Sequence, residues 1–178
     1  MDFELFWKPM VTRQFGAAIG MLERAILACP AELWAEDSGP PEWKTHGTVG
    51  FWYVAYHTIF FLDYHANGAQ GAFEPPAPFT LAELDPAGVL PSQPFTKEEL
   101  LTYLHYTRRC LAGYIDRLTS EAAAHPCGIP IWKMSHAELL IHSMRHVQHH
   151  AAQLNLMLRQ SAGTAPSWVF AAAVDAPE

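Results

Sequence analysis

The sequence predicts an all-α fold, a bundle of about four helices, on three observations. Four long segments place apolar residues at three-to-four-residue spacing, the period of one helix face. Two of these segments open on a Ser/Thr-x-x-Glu box, whose side chains satisfy the free N–H groups of a first helical turn. A proline-rich stretch separates the second segment from the third, and no clear hairpin signal argues for a sheet.

The first segment, residues 10 to 29, sets Met10, Phe15, Ile19, Leu22, Ile26 and Leu27 on one stripe, with Pro9 suited to its first turn and Pro30 ending it. A loop rich in Pro, Gly and Trp follows. Residues 48 to 66, TVGFWYVAYHTIFFLDYHA, are apolar almost all round. Their β-branched and aromatic content suits a buried strand as well, and length decides for a helix with little solvent exposure. Between 71 and 95 lie six of the 14 prolines, so no long regular element forms there. This is a long crossover, with Thr80-x-x-Glu83 capping one short turn inside it.

Thr96-x-x-Glu99 opens the third long helix, which the pattern carries from TKEELL through TSEAAA, with Leu100, Leu104, Leu111, Ile115 and Leu118 recurring helically. Ser135-x-x-Glu138 opens the fourth, and Gly163 and Pro166 mark its end. The tail, PSWVFAAAVDAPE, offers Trp168 and Phe170 for packing on the bundle or on a neighbour.

Length and composition fit one domain over residues 1 to 178: half of the 178 residues are hydrophobic, enough for a single sizeable core. A net charge of -7 with only 11 Lys and Arg gives no basic cluster for a phosphate backbone, so nucleic acid is not an expected partner. No apolar run reaches the roughly 18 residues of a membrane span, and MDFELFWKPM lacks the features of a secretory leader. A soluble cytoplasmic protein is the expectation. Cys29, Cys110 and Cys127 are odd in number and widely separated, which suits reduced thiols rather than a disulfide framework.

The chemistry-bearing stretch is HSMRHVQHH, residues 142 to 150, with four histidines in nine positions of a helical segment. Side chains four apart on a helix are displaced by only about 40° around its axis, so His146 and His150 project together. Periodicity alone also permits His142 with His146, or His146 with His149. Two imidazoles from one helix can occupy adjacent corners of a metal site, and a third ligand must then come from another element. His57, within the most apolar helix, is the candidate, because a buried ring needs a metal or a hydrogen bond to offset desolvation. Val147 stands where the zincin pattern HExxH has its glutamate, so a metalloprotease reading fails.

The string RHVQHHAAQL resembles the last-helix signature of the DinB/YfiT superfamily, commonly HxxxHHxxQL or HxxxHxGQ, and the upstream helix with its central histidine is similar to that family's second helix. The resemblance implies a four-helix bundle carrying one divalent metal, typically zinc or nickel, on three histidines. Carried over position by position, the ligands are His57, His146 and His150, and His149 becomes the second member of the doublet, facing a neighbour or solvent. Ala152 departs from the glycine that usually precedes the glutamine.

Three imidazoles leave at least one coordination position open, which suits catalysis. Characterised relatives include thiol S-transferases that use small thiols such as bacillithiol, and a mycothiol-dependent isomerase. The resemblance therefore implies a transferase activating a low-molecular-weight thiol, with metal-assisted hydrolysis and a non-catalytic metal-stabilised stress-response or binding module as alternatives. A homodimer is a further expectation. His142 is positioned to orient a substrate or an outer carboxylate, and Tyr53 to reach the pocket, although helix-surface and core-packing roles suit them equally well or better. Arg145 points about 100° away from its neighbour His146 and is left out of the site. Met144, Leu154, Met157 and Leu158 read as core.

Overall fold

The computed structural model describes residues 3–36, 50–129 and 132–172. Most of the predicted Pro/Gly/Trp loop, the first two residues of the predicted second segment and the end of the tail lie outside these. The described residues form six α-helices: α1 Lys8–Ala28, α2 Ala31–Trp34, α3 Phe51–Asn67, α4 Lys97–Arg117, α5 Ser120–Ala124 and α6 His136–Ala162. No strand occurs among the described residues, so the all-α prediction holds. The four long helices α1, α3, α4 and α6 form the bundle. α6 packs on α1 and α3, and α4 packs on the same two from the other side, which puts α1 and α3 on opposite corners.

α1 begins after a π-helical turn, Phe3–Trp7, carries Pro9 in its first turn, and stops where Cys29 turns extended before Pro30. Phe15, Ile19, Leu22 and Ile26 are buried as expected. Met10 and Leu27 are not: they are 53% and 61% exposed. At about 100° per residue they sit some 120° or more around the axis from the Phe15–Leu22 line, and Val11, Ala18 and Ala25 take the buried positions instead.

α3 resolves the helix-or-strand ambiguity in favour of the helix, with Phe51, Val54, Ala55, Ile59, Phe60, Leu62 and Ala66 fully buried. Such a surround leaves its polar groups dependent on internal partners. The Thr58 hydroxyl donates to the Val54 carbonyl at 2.6 Å, and the buried Asp63 accepts from the Tyr103 hydroxyl at 2.8 Å. Burial pushes the Asp63 carboxyl above its ordinary range, against the lowering effect of its Tyr103 and Asn67 hydrogen bonds.

The crossover is pinned by Phe79, which stacks on Tyr103 with centroids 4.2 Å apart and packs against Phe95 at 4.7 Å. Just beyond it a 3-10 turn, Leu81–Leu84, starts at Thr80, whose side chain accepts from the Ala82 N–H. Glu83 does not fold back onto Thr80 to complete a box; its carboxylate enters the bundle.

α4 has the full reciprocal cap, Thr96 with Glu99. The helix expected to run from 96 to 124 is two. Leu118 turns extended and stays buried, and the Thr119 side chain then accepts from the Ala122 N–H to start α5. A threonine that can cap a new turn competes with continuation of the old one. α6 starts at Ser135, whose side chain accepts from the Glu138 N–H, and ends at Gly163 with φ 71°, a left-handed position that glycine takes without strain. The tail then crosses α1, where the Ala172 N–H donates to the Arg13 carbonyl and a Cβ on Gly16 would lie 2.5 Å from that of Ala172. Backbone groups, Ala172 and the Gln14 side chain, which donates to the Phe170 carbonyl, make this contact, while the side chains of Trp168 and Phe170, the latter 87% exposed, face outward. No described helix is long and apolar enough to cross a membrane.

Candidate metal centre

α3 and α6 lie side by side, and each turns imidazole into their shared seam. His57 comes from the middle of α3 and His146 and His150 from one turn of α6. His146 Nε2 is 3.3 Å from His57 Nε2 and 3.0 Å from His150 Nε2, and one ring nitrogen from each residue lies within 4.8 Å of the other two. Nitrogens bound at tetrahedral corners about 2.0–2.1 Å from a metal ion are separated by roughly 3.3 Å. The three sequence-predicted residues are thus brought together, with the two separations from His146 close to that spacing.

The outer nitrogens decide which lone pairs point inward. His57 Nδ1 is 2.6 Å from Glu83 Oε1, and the Glu83 carboxylate is only 4% exposed and also accepts from the Tyr53 hydroxyl at 3.1 Å. His150 Nδ1 is 2.7 Å from Gln153 Oε1. A carboxylate oxygen and an amide oxygen accept here, so both rings carry a proton on Nδ1 and turn Nε2 to the seam. Two inward lone pairs facing a third nitrogen repel one another unless a proton or a cation lies between them. The donor set fits a divalent metal, with Glu83 and Gln153 in the outer positions that fix ring orientation in metal–histidine sites.

Burial keeps His146 and His150 neutral. His146 is lowered to about 2, first by desolvation and then by the imidazoles of His150, His57, His65 and His142. His150 is lowered to about 4, again chiefly by desolvation. Tyr53 is driven well above the ordinary phenol range by burial and then by the Glu83 charge, so it stays a donor.

A second layer lies beyond the triad. His65 is 2% exposed, packs against Trp132 at 4.6 Å and His142 at 5.5 Å, and is lowered to about 3 by burial. Both its ring nitrogens and His146 Nδ1 have no hydrogen-bond partner among the described residues. His142 sits in this group rather than in the triad, and His149 faces solvent as expected. Tyr53 does reach the site, through Glu83. The sequence reading missed Glu83, Gln153 and His65. Gln153 was detectable at three residues from His150, whereas Glu83 was taken up by the capping reading of Thr80-x-x-Glu83.

Two expected results follow from this geometry. Glu83→Ala leaves His57 free to rotate and to adopt the other tautomer, so zinc affinity falls about 10- to 100-fold in a chelator competition titration. Glu83→Gln, which retains an acceptor oxygen without the charge, loses less. Unchanged affinity in Glu83→Ala would show that the carboxylate does not orient the ring. The second concerns acid. Unfolded imidazoles take up protons below about pH 6.5, but folded His65, His146 and His150 resist until about 3, 2 and 4. In that window the unfolded chain binds more protons, so the metal-free protein loses stability as pH falls from about 6.5, by about 1.4 kcal/mol per pH unit for each such ring. The urea midpoint should drop between about pH 7.5 and 5, and a constant midpoint would contradict the burial of these groups.

Residues 117–175 match the DinB family model, which bears out the likeness read from RHVQHHAAQL. The matched stretch holds His146, His150 and Gln153 but not His57 or Glu83. No curated protein matches the chain.

Proposed function

We propose that His57, His146 and His150 hold one divalent ion, zinc or nickel, and that the protein is a transferase activating a low-molecular-weight thiol for attack on an electrophile. The convergence of the Nε2 atoms at 3.0 and 3.3 Å supports this reading most strongly. A divalent ion held there supplies positive charge that favours thiolate over thiol near neutral pH. The chain's own groups prepare the place. Neutral imidazoles offer lone pairs, Glu83 and Gln153 hold two of the rings, and Phe61, 4.8 Å from His57 and 5.7 Å from His146 between centroids, shields one side from water. In the reaction the thiol releases its proton to bulk water, its sulfur bonds to the electrophilic carbon, and the leaving group departs with the bonding pair.

Hydrolysis is less well supported, because it calls for a general base beside the attacking water. Glu83, the carboxylate touching the triad, is already engaged by His57 and Tyr53. Zinc and nickel both suit imidazole donors, which is why the two are proposed together. The test is an anaerobic assay, with and without added metal, of bacillithiol, mycothiol and glutathione against a chloro-aromatic electrophile. Metal-dependent loss of one thiol supports the proposal, and no turnover with any of them counts against it. If chelation then melts the protein with no activity to lose, a metal-stabilised binding module is the better reading.

A further inference from the structure

A hollow of about 600 Å³ opens beside α6, and its described lining includes His142, Arg145, His146, Gln148 and His149. His146 lines this hollow and also belongs to the triad, so the hollow adjoins the metal centre at that one ring. A separate hollow of about 710 Å³ between α1 and α4 contains no histidine among its described lining residues.

Along the described lining of the first hollow the charge is the reverse of the chain's. The protein has 18 Asp and Glu against 11 Lys and Arg, yet no acid is among the described residues lining it. Arg145 is exposed there and forms no ion pair among the described residues. Glu138, one turn before His142, is the acid that acts on the His142 ring, and it is outside the described lining. Arginine stays charged at all relevant pH values and presents a planar fork of N–H donors matched to a carboxylate. Its Cα direction is about 100° from that of His146, which excluded it on helical geometry alone. A long side chain cancels that angle, and both residues line one hollow.

We infer that Arg145 is a specificity-determining residue that recognises a carboxylate on the substrate, with His142 and His149 as further donors at the rim; this rests on the thiol reading above. One guanidinium balances one negative charge, which fits a carboxylate better than a phosphate dianion.

The test is calorimetric binding to the zinc-loaded full chain of three probes: mercaptopropanoate, mercaptopropanol and butanoate. The first two differ in the carboxylate, and the third lacks the thiol. Mercaptopropanoate should bind about tenfold more tightly than mercaptopropanol, the scale of one charge-assisted hydrogen-bonded pair at a partly open site. Arg145→Gln should abolish that preference and Arg145→Lys retain part of it, with zinc content unchanged in both. Equal affinity of the two thiols in the parent, or a preference that survives Arg145→Gln, overturns the inference while leaving the thiol reading intact. If neither thiol binds, the thiol reading fails and butanoate decides: binding that Arg145→Gln removes supports anion recognition, and no binding overturns it.

Discussion

His57→Ala protein binds zinc more than about 100-fold more weakly than the parent, beyond the loss that follows from removing an outer partner of a ligand. His146→Ala and His150→Ala behave alike, and His149→Ala retains the parent affinity. The reason is geometric. His57 is the α3 contribution, and without it two nitrogens 3.0 Å apart on α6 remain as a bidentate fragment of one helix. His149 adjoins a member of the triad but faces solvent. Competition against a chromophoric chelator separates these variants in a single titration. Strong binding by His150→Ala with loss in His149→Ala would reverse the assignment within the doublet.

The second large effect is on the fold. Chelation of the metal-loaded protein lowers its melting temperature, because an ion that binds the native seam and not the unfolded chain adds about 2.7 kcal/mol at a free concentration of 100 times Kd. For a chain of this size that corresponds to roughly 5–10 °C. The bundle should survive the removal. Its core is apolar and continuous from Phe15 and Leu22 on α1 through Phe51 and Phe60 on α3 to Leu154 on α6, and the histidines occupy one seam of it. Collapse of the circular dichroism signal on chelation would instead make the metal a condition of folding, as in small zinc domains. No change in melting temperature would argue against a bound ion.

Much of this organisation was legible in the sequence, for identifiable reasons. Caps are local, so Thr96 with Glu99 and Ser135 before Glu138 marked the starts of α4 and α6. The spacing of four between His146 and His150 is a property of one helix and survives into the structure. What escaped was decided elsewhere. The break at Leu118 depends on burial of that leucine together with capping by Thr119, and a periodic pattern runs through both without interruption. Met10 and Leu27 fit a loose three-to-four spacing but fall off the face that α4 and α6 cover.

The triad illustrates the same division. The sequence left three pairings open on α6, and the resemblance selected one; the packing of α3 against α6 then brings His57 to the other two. Glu83 is 26 residues from His57 in sequence and joins it because Phe79 anchors the crossover against Tyr103. No spacing rule carries that information. His65, eight residues after His57 on the same helix, escaped for a related reason: its neighbours Trp132 and His142 come from distant segments.

The central claim is that three Nε2 atoms from α3 and α6 surround one ion. X-ray absorption at the zinc edge of the loaded protein tests it most directly. The account predicts three imidazole nitrogens at about 2.0–2.1 Å with one or more oxygen scatterers completing the shell, and one fewer imidazole in His57→Ala. A shell dominated by sulfur, or an imidazole count that His57→Ala leaves unchanged, would contradict it.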